Sequence, residues 1–117
     1  MFARFVEITP KLNHKEELIT AIRQEVLPIL KNRTGFLELL PFVPESAKEN
    51  AKDDAKEKMI AISLWTEKYE AEKYVKEVFP KVEQILKPFL AVPVTVSNYK
   101  VETTVCEHFV EALTSAA

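Results

Sequence analysis

The chain has 117 residues, of which 47% are hydrophobic and 29% charged, and its formal net charge is −2. This is the length of one domain and the composition of a globular protein, which excludes a disordered chain. Basic residues are spread out, and no apolar run approaches the roughly 20 residues of a membrane-spanning helix, so neither nucleic acid nor a membrane is an expected partner. The single cysteine, Cys106, excludes an internal disulfide and favours a reducing, cytoplasmic location.

The first stretch of the chain predicts a strand followed by a helix. Residues 2–9 combine aromatic and β-branched side chains and end at Pro10, as is typical of strands. Asn13 is a suitable helix N-cap, and Glu16 stands three positions later, as in a capping box. Apolar residues then recur every three or four positions as far as Leu30, which predicts a helix with one buried stripe.

Proline and glycine mark the end of this helix and the character of the next strand. Pro28 predicts a kink or a tightening of the last turns, because it lacks an N–H donor. Gly35 stands where a helix C-terminus commonly uses a positive φ. Residues 36–43 form a second predicted strand, and Pro41 places this end at an edge or a bulge, since proline cannot donate to a sheet.

Residues 45–57 interrupt the connection between the second and third strands. The segment contains no large apolar residue and repeats Ala-Lys pairs every four positions. Hairpin loops usually have only ~2–5 residues, so this segment is an insertion. We expect a solvated polar insertion, as a short helix or a loop. A lid over a ligand site is the functional alternative, and helix-forming composition does not separate the two.

Residues 58–65 form the clearest strand of the sequence. Two sets of side chains alternate along it and must face opposite sides of a sheet: Ile60, Ile62 and Leu64 on one side, and Met59, Ala61, Ser63 and Trp65 on the other. Thr66 follows directly and is a suitable N-cap for the next helix.

The last third of the chain predicts a second helix and a fourth strand. An apolar stripe runs from Ala71 to Leu90. Pro80 interrupts it, but proline suits the first turn of a continuing helix. Residues 94–101 are rich in valine and predict the fourth strand. Within the tail, residues 103–117, the segment 107–113 predicts one or two amphipathic turns.

The element order predicts the fold class. Strand, helix, strand, strand, helix, strand is the βαββαβ order of an α+β, ferredoxin-like domain, with a four-stranded antiparallel sheet and helices on one face. We expect this single domain to span residues 1–117. The opposite face of such a sheet is polar when it meets water, but here both faces are apolar. A second copy is the simplest cover, so we expect a homodimer, a dimeric α/β barrel.

The sequence around the third strand resembles the antibiotic biosynthesis monooxygenase family, in which this strand ends in Trp and the next helix carries Ala and an aromatic on its inner face. Three segments carry the resemblance: Ile62-Ser63-Leu64-Trp65-Thr66-Glu67 with Ala71 and Tyr74, Gly35-Phe36 after Val26-Leu27-Pro28, and Ala91-Val92-Pro93 before the last strand. The resemblance covers roughly residues 1–102. Neither the insertion nor the tail has a counterpart.

The resemblance implies a dimeric α/β barrel with a pocket between sheet and helices in each subunit. It implies cofactor-independent oxygenation of aromatic polyketides or quinols as one activity, and haem degradation as the activity of a related branch. The haem branch uses a histidine on the second helix and an asparagine on the first strand. The second helix, residues 67–79, has no histidine and the first strand has no asparagine, which argues against haem degradation.

The candidate pocket is centred on Trp65. It shares its strand face with Ala61 and Ser63, and two small residues beside a large aromatic leave space for an apolar ligand. Tyr69 and Tyr74 on the following helix offer phenol groups near that space. The alternative is that Trp65 is a core aromatic whose N–H is bonded to the backbone.

Charged and polar residues on the outer strands add to the candidate pocket. Arg4 and Glu7 lie within the first strand and face opposite sides, so one of them is expected to line the pocket, and Glu7 is included among the candidates. Asn98 and Tyr99 on the fourth strand likewise face opposite ways, so at most one of them faces the pocket.

Recognisable metal and cofactor motifs are absent from the sequence. His14 lies far from Cys106 and His108 in the sequence, so these residues do not form a recognised ligand spacing, and the histidines are expected to be surface residues. One glycine excludes a glycine-rich phosphate loop, and no hydrolase motif is present. We therefore expect neither a metal nor a bound cofactor.

Two functional hypotheses remain open. The first is a cofactor-independent monooxygenase-like enzyme for an aromatic or quinol-type small molecule. The substrate supplies the electrons, while the protein helps to deprotonate it and shields the resulting anion from water. The second is a dimeric barrel that binds a small apolar ligand without turnover. The lack of a recognisable general base favours the second hypothesis, the binding protein. The family resemblance gives that hypothesis less support.

Overall fold

The computed structural model describes residues 1–45 and 58–105. Four sequence predictions lie wholly or mostly outside these ranges: the polar insertion 45–57, the tail 103–117, Cys106 and His108. Across the two described ranges, the helices are too short or too polar to cross a bilayer.

Four strands form one antiparallel sheet: β1 (Phe2–Ile8), β2 (Phe36–Phe42), β3 (Met59–Trp65) and β4 (Thr95–Lys100). Their spatial order is β2-β3-β1-β4, which makes β1 and β3 the central strands. β2 is an edge strand and carries Pro41, as predicted, because an edge strand tolerates a missing donor. The element order confirms the α+β, ferredoxin-like prediction.

The register between β1 and β3 divides the sheet into a helix-facing side and an open side. Phe2 lies opposite Trp65, and Arg4 lies opposite Ser63. Counted from these positions, every second residue of β1 and of β3 faces the helices, and most of these residues are buried. The intervening positions, including Phe5 and Ile60, lie on the open side.

The first helical segment has three parts: α1 (Lys15–Ala21), a π turn (Ile22–Val26) and α2 (Leu27–Lys31). The Leu27 N–H donates to the Ile22 carbonyl, five residues back. Pro28 has no N–H and its ring crowds the carbonyl four residues earlier, and a widened turn relieves that contact. The helix is therefore widened before Pro28, and its last turn closes with the tighter bonds Asn32 N–H to Ile29 and Arg33 N–H to Leu30.

Both predicted N-caps are wrong. Asn13 has φ of +65°, and His14 occupies the N-cap of α1 without a side-chain capping bond. Asparagine tolerates the left-handed conformation, so here it shapes the turn into the helix. Glu67, not Thr66, is the N-cap of the second helical segment, and the Thr66 N–H is bonded to the Gly35 carbonyl.

The second helical segment packs on the same side of the sheet. It comprises α3 (Lys68–Glu77), α4 (Phe79–Leu86) and a 3₁₀ turn (Lys87–Phe89); a further 3₁₀ turn (Thr103–Val105) follows β4. Pro80 lies in the first turn of α4, as predicted. Both helical segments contribute buried apolar residues to one core with β1 and β3.

Gly35 joins the first helical segment to β2 in the predicted positive-φ conformation, with φ of +83°. Its carbonyl accepts the Thr66 N–H at 2.8 Å. A Cβ at this position would lie 2.7 Å from Glu70 Cβ and 3.1 Å from Thr66 Oγ1. Both the backbone conformation and the close approach of α3 therefore require glycine.

We expect Gly35→Ala to lower the free energy of unfolding by about 2 kcal/mol or more, from left-handed strain and overpacking. Chemical denaturation measures this change. Gly35→Asn separates the two causes, because asparagine tolerates the φ but still places a Cβ against Glu70. Wild-type stability in both variants would contradict the packing described here.

Candidate functional site

An aromatic cluster occupies the space between β3 and α3. Trp65 is fully buried, and its ring centroid lies 5.2 Å from that of Tyr74 and 5.6 Å from that of Phe36. Tyr74 in turn lies 6.1 Å from Phe79. The Trp65 indole N–H donates to Ser63 Oγ at 2.9 Å. Trp65 is thus a core aromatic, as the alternative interpretation held, but its N–H bond goes to a side chain and not to the backbone.

Local sequence explains how the cluster assembles. Period-two alternation in β3 turns Ala61, Ser63 and Trp65 toward the helices. On α3, Ala71 and Tyr74 are three positions apart and lie on one helix face, and both are buried. The absence of a large side chain at Ala71 lets the Tyr74 ring approach Trp65.

Arg4 is a buried charged residue on this side of the sheet. Its side chain is only 3% exposed, and its guanidinium carbon lies 4.5 Å from the Phe79 ring centroid and 5.6 Å from that of Tyr74. In the sheet it lies between Ser63 on β3 and Asn98 on β4. Burial lowers the pKa of Arg4, while Tyr74 and Glu83 act in the opposite direction.

Arg4 stays protonated in spite of this shift, because guanidinium does not lose its proton in proteins. Contacts with two aromatic rings offset part of the cost of burying the charge, by about 0.5–2 kcal/mol for each favourable cation–π pair. The side chain is therefore a fixed positive charge in a largely apolar environment.

A small cavity lies between the sheet and the helices, where the sequence predicts space beside small residues. Its volume is about 40 Å³, and Ala61, Ser63, Arg4 and Tyr74 are part of its wall. This is room for a few water molecules at most, and a drug-sized ligand needs roughly 300 Å³ or more. The aromatic rings fill most of the space that the small residues leave.

A much larger groove opens beside this cavity, with a volume of about 900 Å³. It runs between α3 and the β1–β4 side of the sheet, and Phe2, Ala71 and Val75 supply apolar surface. Arg4 and Phe79 line both the groove and the small cavity, so they separate the two spaces. The groove has the volume of a ligand site and borders the aromatic cluster, whereas two other surface pockets, of about 460 and 320 Å³, lie elsewhere on the described surface.

The structure brings together three of the five candidate site residues. Trp65, Ser63 and Tyr74 are in one cluster, although Ser63 and Tyr74 line the small cavity and not the groove. Tyr69 is 65% exposed on the outer side of α3. Glu7 lies on the open side of the sheet, where its carboxylate is 3.6 Å from Lys58 Nζ.

Of the two charged residues in β1, it is therefore Arg4 that lines the pocket side, while Glu7 pairs at the surface. Sequence reasoning also missed Phe79, which appeared only as part of a buried stripe. Asn98, and not Tyr99, occupies the register position beside Arg4. Two carboxylates, Glu67 and Glu72, also line the groove. Arg4 shares one face of β1 with the apolar residues Phe2, Val6 and Ile8. A charged residue within an otherwise apolar face was the feature of the sequence that could have identified Arg4.

Metal binding has no support among the side chains that the structure describes. Across residues 1–45 and 58–105, no three His, Cys, Asp or Glu side chains are grouped closely enough to hold an ion.

The phenol of Tyr74 gives the site a distinctive titration. Burial raises its pKa from the ordinary value of 10.0 to about 12, although Arg4 and Arg33 act in the opposite direction. Because the folded-state pKa exceeds the unfolded one, this contribution to stability is complete below about pH 10 and is lost as the pH rises toward 12.

We therefore expect a tyrosine titration step near pH 12, measured through the 295 nm absorbance of tyrosinate. This step should be missing in Tyr74→Phe. Tyr69→Phe is the control and leaves that step in place. The unfolding free energy of the wild type should fall by roughly 2 kcal/mol more than that of Tyr74→Phe between pH 10 and 12. A high-pH step that persists in Tyr74→Phe would contradict this assignment.

Sequence comparison alone identifies no relative: no family model and no curated protein matches the chain. Solved structures do match. A protein from Bordetella bronchiseptica classed with the antibiotic biosynthesis monooxygenases superposes with a TM-score of 0.69 at 10% identity, over 86% of this chain and 95% of that one.

Two further structures carry functional descriptions. SnoaB, a cofactor-independent oxygenase from Streptomyces nogalater solved as a point mutant, matches with a TM-score of 0.66 at 14% identity, over 86% of this chain and 93% of that one. A mutant of MhuD with manganese protoporphyrin IX in its active site matches with a TM-score of 0.66 at 12% identity, over 87% and 95% of the two chains. The predicted resemblance is confirmed at the level of structure: the chain has the fold of the antibiotic biosynthesis monooxygenases.

Proposed function

We propose that this chain is a monooxygenase-like enzyme that binds an aromatic or quinol-type small molecule in the groove and oxidises it with O₂ without a bound cofactor. One observation carries the proposal: a groove of about 900 Å³ borders the buried aromatic cluster in a fold shared with a cofactor-independent oxygenase. This volume lies within the range of roughly 300–1,000 Å³ that is typical of small-molecule sites.

The groove has the wall chemistry that a planar aromatic ligand needs. Phe2, Val75 and Phe79 offer apolar and aromatic surface, and Asn98 and Arg4 offer hydrogen-bond donors at one side. A site with mostly apolar walls and a few polar groups both binds and orients its ligand. This composition supports an aromatic ligand with at least one oxygen substituent.

The proposed reaction balances without an external reductant. In an anthrone-type substrate a ring methylene loses a proton, and the resulting carbanion transfers an electron to O₂. Recombination forms a carbon–oxygen bond as a hydroperoxide, and loss of water leaves a ketone. The substrate CH₂ and O₂ thus become C=O and H₂O, with the substrate as the electron donor. The protein's role is to take up the first proton and exclude bulk water.

Two carboxylates are the groove residues that can take up this proton. Glu67 and Glu72 both line the groove, and Glu72 lies 3.9 Å from Lys68 Nζ. Tyr74 is unsuited to this role at neutral pH, since its pKa of about 12 keeps the phenol protonated. Tyr74 is instead a hydrogen-bond donor in the wall of the small cavity.

Oxygen consumption with anthrone as substrate tests the enzyme. We expect the protein to accelerate uptake over the uncatalysed rate. Val75→Phe, which adds bulk to the groove wall, is expected to reduce the acceleration roughly tenfold by displacing the substrate from its reactive position. Leu12→Phe is the matched control, because Leu12 is exposed and lies outside the groove. No acceleration by the wild type, or equal rates in both variants, would contradict the proposal.

The second candidate function is binding without turnover. It is favoured by the absence of histidine from the groove wall in the part of the chain that the structure describes. Trp65 is the only tryptophan and contacts the aromatic cluster, so its fluorescence reports on ligands in this region. Saturable quenching by an aromatic ligand together with no oxygen uptake would support the binding protein over the enzyme.

We also propose that the protein is a homodimer that packs through the open side of the sheet. This side carries large apolar residues that are substantially exposed: Phe42 at 50%, Tyr99 at 54% and Ile60 at 37%. Phe5 and Tyr99 form an edge-to-face pair there, with ring centroids 4.8 Å apart. An exposed apolar patch of this kind is typical of an interface. In a twofold dimer, the same patch of a second copy would cover it.

Light scattering after size-exclusion chromatography checks this proposal. We expect a dimer for the wild type and a monomer for Ile60→Glu, because a charge would then be buried in the interface. Leu12→Glu, on an exposed loop outside the sheet, should remain dimeric. A wild-type protein that stays monomeric at micromolar concentration would rule out the dimer.

A further inference from the structure

We propose that Arg4 makes the groove selective for anionic aromatic ligands, by pairing its guanidinium with a carboxylate or phenolate oxygen of the bound molecule. The inference rests on the proposed ligand-binding role of the groove and adds to it the charge of the ligand. It does not require turnover, so binding alone tests it.

The first support is the lack of an internal partner for Arg4. Within residues 1–45 and 58–105, no carboxylate oxygen lies within 4 Å of its guanidinium, although three other Lys or Arg side chains pair with carboxylates there. Instead the side chain lies over Phe79 and Tyr74. A buried ion normally loses several kcal/mol of solvation and is paired in return, so an unpaired one is a costly arrangement.

The second support is the position of Arg4 in the fold. It is nine-tenths buried by the sheet and helices and still forms part of the groove wall. β1 is a central strand, so the side chain extends from a rigid element and loses little further entropy when a ligand binds. Guanidinium presents two parallel N–H donors, which match the two oxygens of a carboxylate.

The third support is the charge of the groove as a whole. Four basic residues and two acidic residues line it: Arg4, Lys68, Lys76 and Lys100 against Glu67 and Glu72. The groove therefore has an excess of positive charge in a chain whose formal net charge is −2. The N-terminus of α3 also reaches the groove without a side-chain cap and adds partial positive charge. Such a site attracts anions over neutral molecules of the same shape.

Calorimetric titration with 2-naphthoate and 2-naphthamide tests the inference, because the two probes share a ring system and differ in charge. We expect the wild type to bind 2-naphthoate roughly tenfold or more tightly than 2-naphthamide, as expected for a charge-assisted pair. Arg4→Gln should remove most of this preference, because it lowers the affinity for 2-naphthoate far more than the affinity for 2-naphthamide. Lys73→Gln removes a positive charge of α3 that lies outside the groove and should retain the preference.

Arg4→Met guards against failure of the glutamine variant to fold. Replacement of an unpaired buried cation by an apolar side chain of similar length is expected to raise the melting temperature, by about 3 °C or more. A variant that is more stable and yet has lost the preference for 2-naphthoate separates an anion-binding role from a purely structural one.

Three results would overturn the inference: equal wild-type affinity for both probes, a preference retained in Arg4→Gln, or no binding of either probe. The first two can occur while anthrone-dependent oxygen uptake is intact, in which case the proposed function stands and only its charge selectivity fails. Conversely, charge-selective binding without oxygen uptake supports this inference and removes the enzyme.

Discussion

The pairing of β1 with β3 is the constraint on which the rest of the structure depends. Phe2 lies opposite Trp65 and Arg4 opposite Ser63, so the aromatic cluster and the charge are built into one register. Because side chains alternate along a strand, a slip of β1 by one residue against β3 would turn Phe2 and Arg4 to the open side and separate them from Trp65 and Ser63. The helices then cover these residues, and Gly35 permits α3 to approach closely enough for Tyr74 to reach Trp65.

Burial of Arg4 and Tyr74 gives the two polar groups of the core different properties. Desolvation disfavours the charged form of each, which keeps the phenol neutral but does not discharge the guanidinium. The core therefore contains a neutral donor beside a permanent cation, with Phe79 in contact with both. Arg4 lowers stability unless something else offsets its charge, and costs of this kind are often retained where function needs them.

Prediction from the sequence was most successful where a pattern reports directly on local geometry. The alternation of β3, the edge position of Pro41 and the positive φ of Gly35 follow from side-chain periodicity and backbone sterics. Each N-cap was predicted one residue too early: Asn13 adopts a left-handed turn before His14, and Glu67 follows Thr66, a difference of one position that local propensity does not resolve. Of the candidate site, Trp65, Ser63 and Tyr74 were brought together, while Tyr69 and Glu7 were placed elsewhere.

The amino-acid sequence by itself determined the element order, the fold class and the two faces of β3, because these depend on periodicity within single segments. Only the tertiary structure decided that Trp65 is enclosed, that the space beside it shrinks to about 40 Å³, and that the larger groove lies against Arg4. Cavity size is the difference between the volume the backbone encloses and the volume side chains from several elements fill. That difference depends on contacts such as those of Phe79 and Tyr74 with Arg4, which join residues far apart in the chain.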